Sequence, residues 1–76
     1  MKTDIQAKTP EELEEAIIYV LATGATKVNG QILDHYTASM MAKVFGRLND
    51  QIKGRLLTLG TKNITRMAEI MWEVAK

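Results

Sequence analysis

The chain has 76 residues, enough for one small domain that buries only about 60% of the surface its unfolded form exposes. The absence of cysteine excludes disulfides and thiolate metal sites, and His35 is the only histidine. The longest apolar run, residues 16–22, is too short to cross a bilayer, and the N-terminal residues lack an apolar signal segment. These observations predict a cytoplasmic protein in which oligomerisation supplements a small core.

The net charge of +1 is unevenly distributed along the chain. Residues 1–34 hold three lysines and six acids (net −3), residues 35–66 hold six bases and one acid (net +5), and residues 67–76 hold two acids and one lysine (net −1). An ordinary solvated face, or pairing with an acidic helix, explains this pattern. The alternative is contact with nucleic acid or another anionic partner. The residues available for that contact are Lys43, Arg47, Lys53, Arg55, Lys62 and Arg66.

The first helix is predicted from strong local signals. Residues 1–8 are polar and predict a loose N-terminal tail. Thr9 suits the N-cap, Pro10 suits the first helical position, and Glu12 completes a capping box. We therefore predict a helix over about residues 10–23.

Two interpretations fit residues 26–33. The Asn29-Gly30 pair between short apolar segments is the strongest short-range hairpin signal. Asn29 is equally suited to cap a helix that begins after a loop. Both interpretations stay open at this point.

The central stretch predicts one long helix over about residues 38–59. The apolar residues change face near residues 37–40, but they continue in phase through Gly46. A last helix over about residues 62–75 follows from apolar residues that recur at a helical period. The expected fold is thus a single all-α domain, residues 1–76, with a three-helix architecture.

A row of small residues crosses the predicted central helix at intervals of four. Its members are Ala38, Ala42, Gly46 and Gly54, and only Asp50 interrupts it. Small residues let a second helix approach closely. The neighbour is either another helix of the same chain or a second molecule.

The short length of the chain favours a second molecule as the neighbour of these small residues. The central helix has two apolar faces, and two short helices are too small to cover both. We therefore predict an intertwined or side-by-side homodimer that buries the remaining apolar surface. Its interface would use the small residues, with Tyr19 and Trp72 as aromatic anchors.

The sequence lacks the patterns of a catalytic centre. His35 and Ser39 have no partner residues at a suggestive spacing, and no Gly-rich phosphate loop occurs. We expect no enzyme activity, cofactor, metal or small-molecule substrate. The predicted function is that of a regulatory or accessory protein, such as an inhibitor, that blocks or bridges another protein.

The alternative function is DNA binding by a helix-turn-helix. Ala42, Gly46 and Ile52 match three spacings of that motif. Arg47 and Arg55, however, occupy positions where the motif usually buries aliphatic residues. The sequence therefore supports DNA binding less strongly than it supports interaction with another protein.

Overall fold

The computed structural model describes residues 4–75, which form four helices and a three-stranded sheet. The predicted all-α, three-helix bundle is therefore wrong. In chain order the elements are β1 (Asp4–Ile5), α1 (Pro10–Thr23), β2 (Thr26–Val28), β3 (Gln31–Leu33), α2 (His35–Phe45), α3 (Asp50–Lys62) and α4 (Ile64–Ala75). None of these helices is long and apolar enough to cross a membrane.

Helix α1 is confirmed together with its capping box. The Thr9 hydroxyl accepts a hydrogen bond from the Glu12 amide at 3.2 Å, and the Glu12 carboxylate accepts one from the Thr9 amide at 3.2 Å. These bonds satisfy amides that have no partner within the helix. Gly24 ends the helix with a positive φ of 96°.

The hairpin interpretation of residues 26–33 is correct. Strands β2 and β3 pair antiparallel, with Val28 opposite Gln31, and the two turn residues, Asn29 and Gly30, have φ angles of 52° and 81°. Positive φ at both central residues is the requirement of the type I′ turn that suits a twisted hairpin.

The predicted loose tail is wrong where the structure describes it. Strand β1 pairs parallel with β2, placing Ile5 beside Val28, and Ala7 is fully buried. Residues 1–3 lie outside the described part of the chain. The N-terminal segment thus completes the sheet, whose order is β1-β2-β3.

The side chain of Asn29 holds this segment in place. Its Oδ1 accepts a hydrogen bond from the Ala7 amide at 2.8 Å, and its Nδ2 donates to the Ala7 carbonyl at 2.8 Å. The same Nδ2 also donates to the Thr61 carbonyl near the end of α3, at 3.3 Å. One turn residue therefore joins the hairpin, the N-terminal segment and a helix.

The predicted unbroken helix over residues 38–59 is also wrong. Helix α2 ends at Phe45, and the Asn49 side chain caps α3 by accepting a hydrogen bond from the Ile52 amide at 2.9 Å. The apolar residues stay in phase across the break, but Ile52 is exposed rather than buried. Local capping at Asn49 therefore outweighs the continuous pattern.

The break lets the four helices form a closed arrangement. Helix α1 packs against α2 and α3, and α4 packs against the same two helices. Helices α1 and α4 therefore occupy opposite corners, as do α2 and α3. The predicted last helix is confirmed from Ile64 onward, and its cap is Asn63, whose Oδ1 accepts a hydrogen bond from the Arg66 amide at 3.0 Å.

Gly60 of α3 makes a close contact with two other helices. A Cβ atom built at this position would lie 2.5 Å from the Met67 sulfur and 2.6 Å from Leu13 Cδ2. Both neighbouring side chains are fully buried. Glycine therefore lets α3 lie close to α1 and α4 at once.

We expect Asn29→Gly to destabilise the fold by about 1–3 kcal/mol, because glycine keeps the turn conformation but loses three side-chain hydrogen bonds. Asn29→Ala should cost roughly 1–2 kcal/mol more, because alanine is strained at positive φ. Urea denaturation of both variants measures these differences. Wild-type stability in Asn29→Gly would show that the side-chain bonds contribute little.

We expect Gly60→Ala to destabilise by up to about 2 kcal/mol, because overpacking costs ~1–3 kcal/mol and the gain in helix propensity returns at most ~1 kcal/mol. Gly54→Ala is the matched control in the same helix. A Cβ at Gly54 meets no atom within 4 Å, so this variant should gain up to ~1 kcal/mol. Equal shifts in the urea midpoint of the two variants would contradict a tight contact at Gly60.

Candidate protein-interaction site

A groove of about 260 Å³ lies between α2 and α4, and we name it the α2–α4 groove. Its lining combines aromatic, aliphatic and basic side chains. The residues are Tyr36, Ser39, Met40, Lys43, Val44, Arg47, Trp72 and Ala75. Most of them recur along one face of α2, so the groove follows the axis of that helix.

The aromatic end of the groove is formed by Tyr36 and Trp72. Their ring centroids lie 5.4 Å apart with an interplanar angle of 38°, within the favourable range for an aromatic pair. Tyr36 is 73% exposed, whereas Trp72 is partly buried against the core. The pair therefore offers a large, preformed apolar surface to a ligand.

The basic end of the groove is formed by Lys43 and Arg47. Lys43 lies in the last turn of α2, and Arg47 lies in the turn that follows, where its amide donates to the Val44 carbonyl at 2.9 Å. Both side chains line the groove. Within residues 4–75 neither forms a salt bridge: the ion pairs found there join Lys53 to Glu14 and Arg66 to Glu69. Both cations are thus available for a carboxylate of another molecule.

A capping interaction positions the first turn of α2, which carries Tyr36. Asp34 Oδ1 accepts a hydrogen bond from the Thr37 amide at 2.7 Å. The hydroxyl and the amide of Thr37 lower the pKa of Asp34, because both bind the charged carboxylate. The aromatic end therefore depends on a helix start that is strongest when Asp34 is ionised.

The structure separates the predicted interface residues instead of bringing them together. Ala38 is fully buried in the core, and Tyr19 lies beside Glu12 and Glu15 on the far side of α1. Only Trp72 lines the α2–α4 groove. The row of small residues ceases to be one surface because α2 ends before α3 begins.

Ala42 and Gly46 instead line a second groove, between α1 and α2. Gly46 is exposed, and a Cβ there would meet only backbone carbonyls at 3.4 Å and 3.8 Å, so it makes no tight helix contact. Lys53 closes this groove through its ion pair with Glu14 and lies 5.5 Å from the Phe45 ring centroid. This groove has no unpaired charge to select a ligand.

The six predicted basic contacts are likewise divided among different surfaces. Lys43 and Arg47 belong to the α2–α4 groove, and Lys53 lies in the second groove. Arg55 and Lys62 are exposed on the outer face of α3. Arg66 lies 3.4 Å from Glu69 of its own helix. Of the six, only Lys43 and Arg47 line the same groove.

The residues that matched the helix-turn-helix spacing do not form the core of that motif. Ala42 and Ile52 are exposed, and Gly46 has a φ of −66°, in the ordinary helical region. Helices α2 and α3 occupy opposite corners rather than packing on one another.

Sequence reasoning missed the role of Tyr36. Tyr36 was not among the predicted site residues, and only the approach of α4 pairs it with Trp72. Among the described residues, no three His, Asp or Glu side chains converge in a way that could hold a metal ion.

Comparison with known proteins adds no information on this site. No protein-family model, curated protein sequence or solved structure shows significant similarity to the chain.

We expect Asp34→Ala to destabilise the fold by roughly 0.5–2 kcal/mol at neutral pH, because α2 loses its cap. The folded-state pKa of Asp34 is below its ordinary value of 3.8, so this stabilisation is present above pH 3.8. It is lost as the pH falls through the folded-state pKa. Urea titrations across the acid range should show the wild type and Asp34→Ala converging.

Asp34→Asn is the matched control, because asparagine also caps helices but does not titrate. It should retain its advantage over Asp34→Ala at every pH. A pH-independent gap between the wild type and Asp34→Ala would contradict the role assigned to the ionised carboxylate.

Proposed function

We propose that this protein is a non-enzymatic interaction domain that binds a partner protein through the α2–α4 groove. The observation that carries the proposal is the pair of unpaired cations, Lys43 and Arg47, beside the exposed ring of Tyr36. A ligand suited to this surface has an apolar side chain for the aromatic end and carboxylates for the basic end. By binding its target, such a protein would either block the target's contacts with other proteins or link the target to another protein.

The two ends of the groove have different roles in binding. Burial of Tyr36 and Trp72 supplies most of the affinity, because aromatic side chains dominate interface energetics. Exposed charges such as Lys43 and Arg47 add less affinity but speed association and reject unsuitable partners. In the proposed site the charges therefore select the partner, and the apolar contacts supply most of the affinity.

DNA or RNA binding, the alternative function, has weaker support. Nucleic-acid binding gains its affinity from many phosphate contacts on one surface. Here the cations lie on separate surfaces, and Lys53 and Arg66 already have carboxylate partners. A protein ligand needs only the local pair at Lys43 and Arg47.

We retain the cytoplasm as the proposed compartment and self-association as a proposed property. The homodimer predicted from the sequence remains a prediction, although the row of small residues no longer supports it.

Selection from a displayed library of random peptides tests the main proposal. The wild type should enrich peptides that combine Asp or Glu with a large apolar residue. The double variant Lys43→Glu/Arg47→Glu should lose binding to them by about tenfold or more, because like charges then face each other. The double variant Arg55→Glu/Lys62→Glu makes the same change in charge on the outer face of α3, and it should bind normally.

Equal loss of binding in both double variants would show a general charge effect and contradict the assignment of the groove. A gel-shift assay with duplex DNA at roughly 50 and 200 mM salt tests the alternative function. A shift that Lys43→Glu/Arg47→Glu abolishes, without enrichment of acidic peptides, would replace the protein-binding proposal with nucleic-acid binding.

A further inference from the structure

Two exposed side chains on α2, Tyr36 and Lys43, and a third in the turn that follows it, Arg47, specify the shape of the ligand. The Arg47 amide donates to the Val44 carbonyl at 2.9 Å, so the chain continues along the helical path as far as Arg47. Lys43 and Arg47 lie 7 and 11 residues beyond Tyr36, which corresponds to about 10 and 16 Å along a helical path. A ligand helix running beside α2 presents its own positions i, i+7 and i+11 within about 40° of one another. One face of a helix therefore reaches all three side chains.

An extended ligand does not fit this spacing equally well. At about 3.3 Å per residue, its matching positions are roughly i, i+3 and i+5. Alternation along a strand places the last two on the face opposite the first. The groove therefore favours an acidic helix with one apolar end.

Helix α1 of this chain carries that pattern on its outward face. Glu11, Glu15, Ile18 and Ala22 form a line directly opposite the buried face of the helix, and all four are exposed, Ile18 by 58%. The two acids are four residues apart, as are Lys43 and Arg47. Within the described residues neither Glu11 nor Glu15 makes an ion pair.

We propose that the α2–α4 groove binds helix α1 of a second copy of this chain, running antiparallel to α2. This inference rests on the function proposed above, because it names the occupant of the same groove. In this arrangement Glu11 faces Arg47 of the neighbouring copy and Glu15 faces Lys43. None of the four charges has an ion-pair partner within residues 4–75 of one molecule, and each gains a partner of opposite sign in the assembly.

The apolar half of the contact follows from the same register. Ile18 lies three residues beyond Glu15, and Met40 lies three residues before Lys43, so the two meet at the middle of the groove. Ala22 then lies at the aromatic end beside Tyr36 and Trp72, where its small side chain lets the helix backbone approach the rings.

The resulting assembly is head-to-tail. Helix α1 lies at the corner opposite α4, whereas the groove lies on the side formed by α2 and α4. The outward face of α1 and the groove of one molecule therefore point in different directions. A contact between two different surfaces leads to a ring or an open chain of molecules. A two-fold dimer through the groove itself would leave Lys43 and Arg47 without carboxylate partners, because no acidic residue in the described part of the chain lines the groove.

Sedimentation velocity over a range of protein concentrations tests the proposal. The wild type should form species larger than a dimer as concentration rises, and added salt should weaken them. Glu11→Lys/Glu15→Lys and Lys43→Glu/Arg47→Glu should each associate at least about tenfold more weakly. Arg55→Glu/Lys62→Glu is the control for charge alone, and it should assemble as the wild type does.

Mixing the two interface variants supplies the decisive result. Each has like charges at its own contact, but in the mixture every contact again joins opposite charges, so assembly should return. All the substituted side chains are exposed, and circular dichroism confirms that each variant is folded. Variants that stay apart when mixed would overturn the proposal, as would a wild type that stops at a closed dimer.

The outcome also separates this inference from the proposed function. A wild type that stays monomeric at every concentration, yet binds acidic peptides in a way that depends on Lys43 and Arg47, would overturn self-assembly and leave the groove as a site for another protein. Loss of neither assembly nor peptide binding in Lys43→Glu/Arg47→Glu would overturn both.

Discussion

The amide group of Asn29 is the interaction on which the arrangement of the other elements depends. It forms two hydrogen bonds with the backbone of Ala7 and one with the backbone of Thr61, residues that are far apart in the sequence. The first two bonds reproduce the pairing that a neighbouring strand would supply. They extend the sheet beyond Ile5, so that the N-terminal segment reaches α1 along one fixed path.

The α2–α4 groove is a consequence of how the helices are then arranged. Because the chain turns at residues 46–49, α2 and α3 lie at opposite corners and α4 can pack beside both. A single helix through this region would have kept Tyr36 and Trp72 apart. The turn that separates the two helices therefore also creates the pair of rings that forms the apolar end of the groove.

The parts of this fold that sequence reasoning predicted are those that depend on local interactions. Helix α1 could be predicted because Thr9, Pro10 and Glu12 act within one turn. The break after Phe45 does not appear in the apolar pattern, because residues on both sides share a helical phase. Its local signal is Asn49, whose side chain caps α3. Strand β1 could not be predicted at all, since two residues form a strand only when a partner strand is already beside them.

The candidate site was predicted in its components but not in its arrangement. Lys43, Arg47 and Trp72 were expected to contact partners, and the groove contains all three. Their association with Tyr36 depends on the packing of α4 against α2, which no periodicity in either helix specifies. The row of small residues failed for the same reason, because its members belong to one surface only if the helix is continuous.

Several buried residues of the core are methionines, so the packing of the core also determines how readily their sulfur atoms are oxidised. Met41, Met67 and Met71 are fully excluded from solvent, and the Met67 thioether lies against Gly60, where an added Cβ would lie 2.5 Å from the sulfur. Oxidants convert an accessible methionine to a polar sulfoxide. Burial protects these sulfur atoms while the domain is closed, so their rate of oxidation follows how often the core opens. A molecule oxidised during such an opening must then bury a polar oxygen beside Gly60, and it closes less readily than before.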